Sequence, residues 1–95
     1  MSIGLERVAA TLQVSPEELW RQSLRAYILR EKRSVQLDIA DIQDRYKVSS
    51  SEELQAGIEA GEICSHPAWE ELIEWENLLA HLWRLEQLEI EISAE

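Results

Sequence analysis

Ninety-five residues hold at most one domain, and a chain that short buries only a thin core, which association with a second surface commonly supplements. Hydrophobic residues make up 45% and charged residues 29%, which argues against wholesale disorder. No run of about 18 apolar residues exists to span a membrane, the single cysteine, Cys64, leaves no internal disulfide to form, and the net charge of −10 works against general nucleic-acid affinity. That charge is unevenly placed. Residues 1–33 carry six Lys or Arg against four acids, whereas residues 34–95 carry three against fifteen. Such asymmetry marks two surfaces with different partners; the plainer alternative is a set of Glu-rich solvated helix faces. The opening MSIGLERVAA has neither a basic n-region nor an apolar h-region, so the expectation is a cytoplasmic protein without a secretory signal.

In chain order, Ile3, Leu5, Val8, Ala9 and Leu12 fall near helical spacing and predict a marginal helix over 4–12. Ser15-Pro16-Glu17-Glu18 is the clearest helix start. Ser15 suits the N-cap, Pro16 suits the first helical position, and the glutamates meet the positive end of the dipole. Ser15 with Glu18 also fits a capping box. The helix they open is predicted over 16–46, roughly 45 Å at about 1.5 Å per residue. Trp20, Leu24, Tyr27 and Ile28 form its first apolar patch. The polar interval REKRS follows, and Val35, Ile39, Ile42 and Tyr46 resume the stripe. Residues 28, 35 and 42 are a heptad apart, the pattern of a helix lying along another helix. Ser49, Ser50 and Ser51 offer N-caps for a short third helix over 50–60, with Leu54, Ile58 and Ile63 on its apolar edge. Gly57 weakens it and Gly61 suits a left-handed terminator. After a linker, Pro67 opens a final helix over 67–90, capped by Ser65 or His66.

That final helix holds three of the four tryptophans and more apolar surface than a solvated helix can carry. Leu72, Trp75, Leu79, Leu82 and Trp83 make one stripe, expected to meet Val35, Ile39, Ile42 and Tyr46. Leu78, Leu85 and Ile92, spaced seven apart, flank it, and Trp69, Ile73 and Ala80 widen the other side. The apolar arc exceeds the roughly 100° of an ordinary amphipathic helix. One side covers the long helix in a hairpin; the other needs a further helix, from the N-terminal segment, a second copy or another protein. The expected fold is therefore all-α in a single domain: a long antiparallel helical hairpin with a short connecting helix, dimerising into a helical bundle.

No catalytic signature emerges. Glu62, Cys64, His66 and His81 lack the paired spacing of a zinc site, and Glu-x-x-His of a di-iron bundle is absent. Cys64 and His66 stand two residues apart in a linker, whereas catalytic Cys–His pairs are assembled from distant segments. The glycines are isolated and build no phosphate loop. The reading is a non-enzyme with no cofactor and no metal. Arg21, Arg25, Arg30, Lys32 and Arg33 cluster on one helix as a candidate nucleic-acid contact, although the same charges also suit pairing with the Glu-rich final helix. Trp69, Trp75, Leu78, Trp83, Leu85 and Ile92 are the candidate partner-binding residues, because tryptophan is enriched at interface hot spots.

Two stretches carry a resemblance. VSPEELWRQSLRAYILREKR, residues 14–33, is similar to the second-helix region of small prokaryotic antitoxins, in which a Ser-Pro-Glu-Glu-Leu-like start leads into an Arg-rich amphipathic helix. RYKVSSSEELQAGIEAGEICSHPAWEELIEWENLLAHL, residues 45–82, resembles the C-terminal half of small acidic helical proteins of bacteria and archaea, many encoded beside a small toxin. The DNA-reading strand that precedes the helices of ribbon-helix-helix antitoxins has no counterpart before Leu5. The resemblance implies an antitoxin-type module that neutralises a small basic toxin through its acidic, tryptophan-rich C-terminal helix, and the wide apolar arc adds the expectation of a homodimer. The alternatives are a DNA-associated regulator using the Arg21–Arg33 face and a structural adaptor subunit of another complex.

Overall fold

The computed structural model describes residues 3–94. Four helices follow in order: α1 (Leu5–Leu12), α2 (Pro16–Tyr46), α3 (Ser51–Glu59) and α4 (Ser65–Ala94). Their ends are set by local chemistry. The backbone turns left-handed at Gln13 (φ 59°), and Val14 N–H returns to the Ala9 carbonyl at 3.0 Å, which closes α1. Ser15 Oγ accepts from Glu18 N–H at 3.0 Å and caps α2, with Pro16 at its first position. The expected capping box is only half made there. The Glu18 carboxylate accepts from Arg21 and Gln22 at 2.8 and 2.7 Å instead of turning back, and these contacts, Gln22 foremost, hold its carboxyl below the ordinary range. A return bond is made at α3, one residue further back than in a capping box: Ser50 at the N-cap accepts from Glu53 N–H at 3.1 Å, and the Glu53 carboxylate accepts from Ser49 N–H at 2.9 Å.

The turn out of α3 is a Schellman motif. Gly61 is left-handed (φ 76°), its N–H donates to the Ile58 carbonyl at 3.1 Å, and Glu62 N–H donates to the Gly57 carbonyl at 3.0 Å. Ile63 folds back over Gly57, where a Cβ would stand 2.6 Å from Ile63 Cδ1. Gly57 is thus the bare patch that lets the linker close down on α3. The regular part of α4 begins at Pro67, since His66 is extended (φ −119°, ψ 125°), and it continues to Ala94, past the expected end at residue 90.

Helices α2 and α4 run antiparallel: Lys32 bonds Glu89 near one end and Arg45 bonds Glu71 near the other. α3 packs on α4 and α1 on α2, giving a slab of 61 × 31 × 17 Å. Its radius of gyration of 19.3 Å far exceeds the roughly 12 Å of a compact domain of this length. The core is one layer deep. Ile28, Val35, Ile39 and Ile42 of α2 and Leu54 of α3 meet Ala68, Leu72, Trp75, Leu85 and Ile92 of α4, with Leu78 and Leu82 packed at the edge.

This arrangement corrects the expected faces of α4. Leu79 and Trp83 are 42% and 61% exposed, while Leu78, Leu85 and Ile92, expected on the free side, join the core. The cause is periodicity. Two long helices stay in contact along residues that recur every 3.5 positions. Leu78, Leu85 and Ile92 keep that period, as do Trp75 and Leu82. Leu72 and Trp75 are in that seam, but the steps of four from Trp75 to Leu79 and Trp83 exceed 3.6 residues and wind out of it.

Urea unfolding of dilute protein is expected to show Trp75→Ala losing about 3–5 kcal/mol, as for large core truncations. Trp83→Ala is expected within about 0.5 kcal/mol of wild type, as for a surface change. Equal losses at both positions would put Trp83 back in the core.

Candidate functional site

The surface that the core leaves uncovered is itself periodic. Trp69, Glu76, Trp83 and Ile90 recur every seven residues on α4, and Ile73, Ala80, Gln87 and Ala94 recur every seven residues four places later. Together they form a second heptad seam on the outer side of the helix. Its large members are open to solvent: Trp69 46%, Ile73 49%, Trp83 61% and Ile90 63% exposed. Trp83 lies about 80° around the helix from buried Trp75, at about 100° per residue. A shallow groove of about 450 Å³ runs past Trp83, Gln87 and Ile90. At Ile90 it meets a second groove, about 600 Å³, between α4 and the Arg25–Leu29 stretch of α2. Exposed apolar residues thus recur from Trp69 to Ile90, with Glu76 and Gln87 between them.

Its electrostatics are one-sided. Between Pro67 and Ala94, α4 holds seven glutamates and one arginine, Arg84. Glu76 lies within the outer seam, with Glu86 and Glu91 on its margins. Glu71 is taken by Arg45 across the hairpin, and its carboxylate adds to the burial that pushes the Tyr46 phenol above its ordinary range. Glu89 is taken by Lys32, whose side chain is only 17% exposed.

Of the six candidate partner-binding residues, the structure brings Trp69 and Trp83 together on the outer seam. It places Trp75, Leu85 and Ile92 in the buried core and Leu78 at its edge. Four residues of the outer seam, Glu76, Gln87, Ile90 and Ala94, are absent from the sequence-based candidates. The signal that finds them is spacing: the fourteen-residue Trp69–Trp83 interval, two whole heptads, gives Glu76 and Ile90, and the seven residues from Ile73 to Ala80 extend to Gln87 and Ala94.

The basic cluster does not form one face. Arg21, Arg25 and Lys32 share a side of α2 next to α4, but Arg30 is nine residues from Arg21, about half a turn away on the wheel. Arg30 lies 5.6 Å from the Tyr27 ring centre, Arg21 pairs with Glu18, and Lys32 pairs with Glu89. Arg33 is exposed, on neither side. A phosphate-tracking stripe would need these cations aligned.

Among the described residues, no group of three or more His, Cys, Asp or Glu is placed to hold a metal ion. Cys64 is exposed in the linker. His66 bonds Glu70 at 3.1 Å through Nδ1, one turn along the same segment. No helix is long and apolar enough to cross a membrane among those residues.

A family model described as "Uncharacterized protein MJ0235 family" matches residues 1–95. The chain belongs to this family. The match to the MJ0235 family takes in both the hairpin and the outer seam of α4. No curated protein and no solved structure matches the chain.

A double-mutant cycle over Lys32→Met and Glu89→Gln in urea is expected to return a coupling of about 0.5–1 kcal/mol, because both side chains reach solvent. The coupling should shrink toward zero near 1 M salt, where the screening length is about 3 Å. A coupling that ignores salt would mean a desolvated pair.

Proposed function

We propose that the protein is a non-catalytic interaction module of the antitoxin type, which binds a small basic protein and occludes its working surface. The observation that carries this reading is the outer seam of α4. It exposes two tryptophans and two isoleucines along a helix of seven glutamates and one arginine. Exposed apolar residues in a row, rimmed by charge of one sign, are the composition of a docking surface. The two tryptophans supply anchors, and the surrounding carboxylates steer a cationic partner toward them. The action is stoichiometric, so the module needs affinity and no reacting group. The core seam on the opposite side of α4 stiffens the helix before the partner arrives, which lowers the ordering cost of binding.

The resemblance of residues 14–33 and 45–82 to small antitoxins supports the partner being a toxin. The two-sided charge of α2 supports a protein partner over DNA.

Co-expression tests the reading. The chain is expressed with each small basic protein encoded next to it in its source genome, with growth as the readout. The wild type is expected to relieve the toxicity of one neighbour. Trp83→Ala, folded by circular dichroism, is expected to weaken that complex by about 2 kcal/mol or more, roughly 30-fold, as at a binding hot spot. Failure of the wild type to relieve any neighbour removes the antitoxin reading.

A further inference from the structure

Resting on the reading that the outer seam of α4 is a docking surface, we infer that in the absence of its partner this seam is occupied by α4 of a second copy, running antiparallel in a single register. The argument is the order of residues along the seam. In an antiparallel pair of identical helices, residues whose numbers share a constant sum lie in one layer. For one choice of register, Trp69 meets Ala94, Ile73 meets Ile90, Glu76 meets Gln87 and Ala80 meets Trp83, and symmetry repeats each layer with the copies exchanged. Large side chains face small ones, apolar faces apolar, and the carboxylate faces an amide whose NH₂ donates to it. Eight layers in all extend over about 39 Å of helix at about 1.5 Å per residue.

Competing arrangements lose these matches. Sliding by a heptad in either direction sets Glu76 against alanine and Trp83 against Gln87 or Ile73. The carboxylate is then covered with no polar partner, a costly burial. A parallel pair sets Glu76 against Glu76 and tryptophan against tryptophan. The polar layer thus selects both direction and register, as single polar positions do in coiled coils.

Area bounds the strength. Trp69 and Trp83 are 46% and 61% exposed. With side chains that each offer about 150–250 Å², and with Ile73, Leu79 and Ile90 beside them, two copies cover on the order of 1,000 Å² in total, the lower limit for a specific interface. The glutamates of the two helices repel across the margins. The pair is therefore weak, is tightened by added salt, and gives way to a cationic partner that uses the same seam.

The test uses the full chain with Cys64→Ser and cysteines introduced by Glu76→Cys and Gln87→Cys, singly and together. Positions 76 and 87 of one helix are about 16 Å apart, too far for an internal bridge. Under mild oxidation the double variant is expected to run as a covalent dimer and each single variant as a monomer. In sedimentation equilibrium the unmodified chain is expected to dimerise more tightly at 0.5 M than at 0.05 M NaCl, and Trp83→Ala at least about 10-fold more weakly. Cross-linking of the Glu76→Cys single variant overturns the antiparallel register. A monomer at high micromolar concentration and high salt overturns self-pairing. If that monomer still relieves a neighbour's toxicity through Trp83, the binding reading stands without self-pairing. A register-specific dimer that relieves no neighbour supports self-pairing and removes the antitoxin.

Discussion

The contact between α2 and α4 along a seven-residue repeat is the constraint from which the other features follow. Two helices of 31 and 30 residues touch along a strip one layer deep, which a seven-residue repeat sustains over that length when the two helices wind slightly about each other. Trp75, 2% exposed, lies in this strip, and Leu54 of α3 is buried in the same core. Everything else is hung on this pair. α1 packs against α2, and the Schellman turn at Gly61 brings α3 down onto α4. The ionic contacts Lys32–Glu89 and Arg45–Glu71 stand at the margins of the seam, where they favour the antiparallel pairing without carrying the bulk of the stability.

Helix boundaries were legible in the sequence to within a residue or two at most ends, because their signals are local. Ser15 and Ser50 act through bonds from residues three positions on, the Gly61 turn through bonds spanning three to five positions, and Pro16 and Pro67 through their fixed φ. The C-terminal end of α4 was less legible, since Ser93 and Ala94 carry no stop signal and the helix runs on while Ile92 has the core to bury into. The hairpin was legible from the heptad Ile28, Val35, Ile42. The assignment of α4's faces was not. Its apolar residues cover so much of the circumference that a count of hydrophobics gives two overlapping stripes. Choosing between them takes the 3.5 period imposed by the second helix, a property of the pair and not of either helix.

The candidate surface shows the same division. Trp69 and Trp83 were visible as interface candidates from residue type alone. Trp75 is the same residue type and lies in the core, so type does not separate the two roles. Spacing does: Trp69 and Trp83 are two heptads apart, and Trp75 falls between them on the other seam. The basic residues of α2 are close in sequence, and Arg21 and Arg25, one turn apart, share a side. The half-turn between Arg21 and Arg30 distributes them around the helix, and two of the five are already engaged with glutamates.

A helix with seams on two sides has little freedom left to drift. Along α4 the core seam claims Ala68, Leu72, Trp75, Leu78, Leu82, Leu85 and Ile92, and the outer seam claims a comparable set. Between them runs a narrow strip through Glu70, Glu74, Asn77, His81, Arg84 and Leu88. A substitution on the core seam costs packing, whereas one on the outer seam, such as at Trp83, changes only the exposed surface. The strip is where individual changes are cheap, and a lineage of such proteins would keep its record of neutral history there.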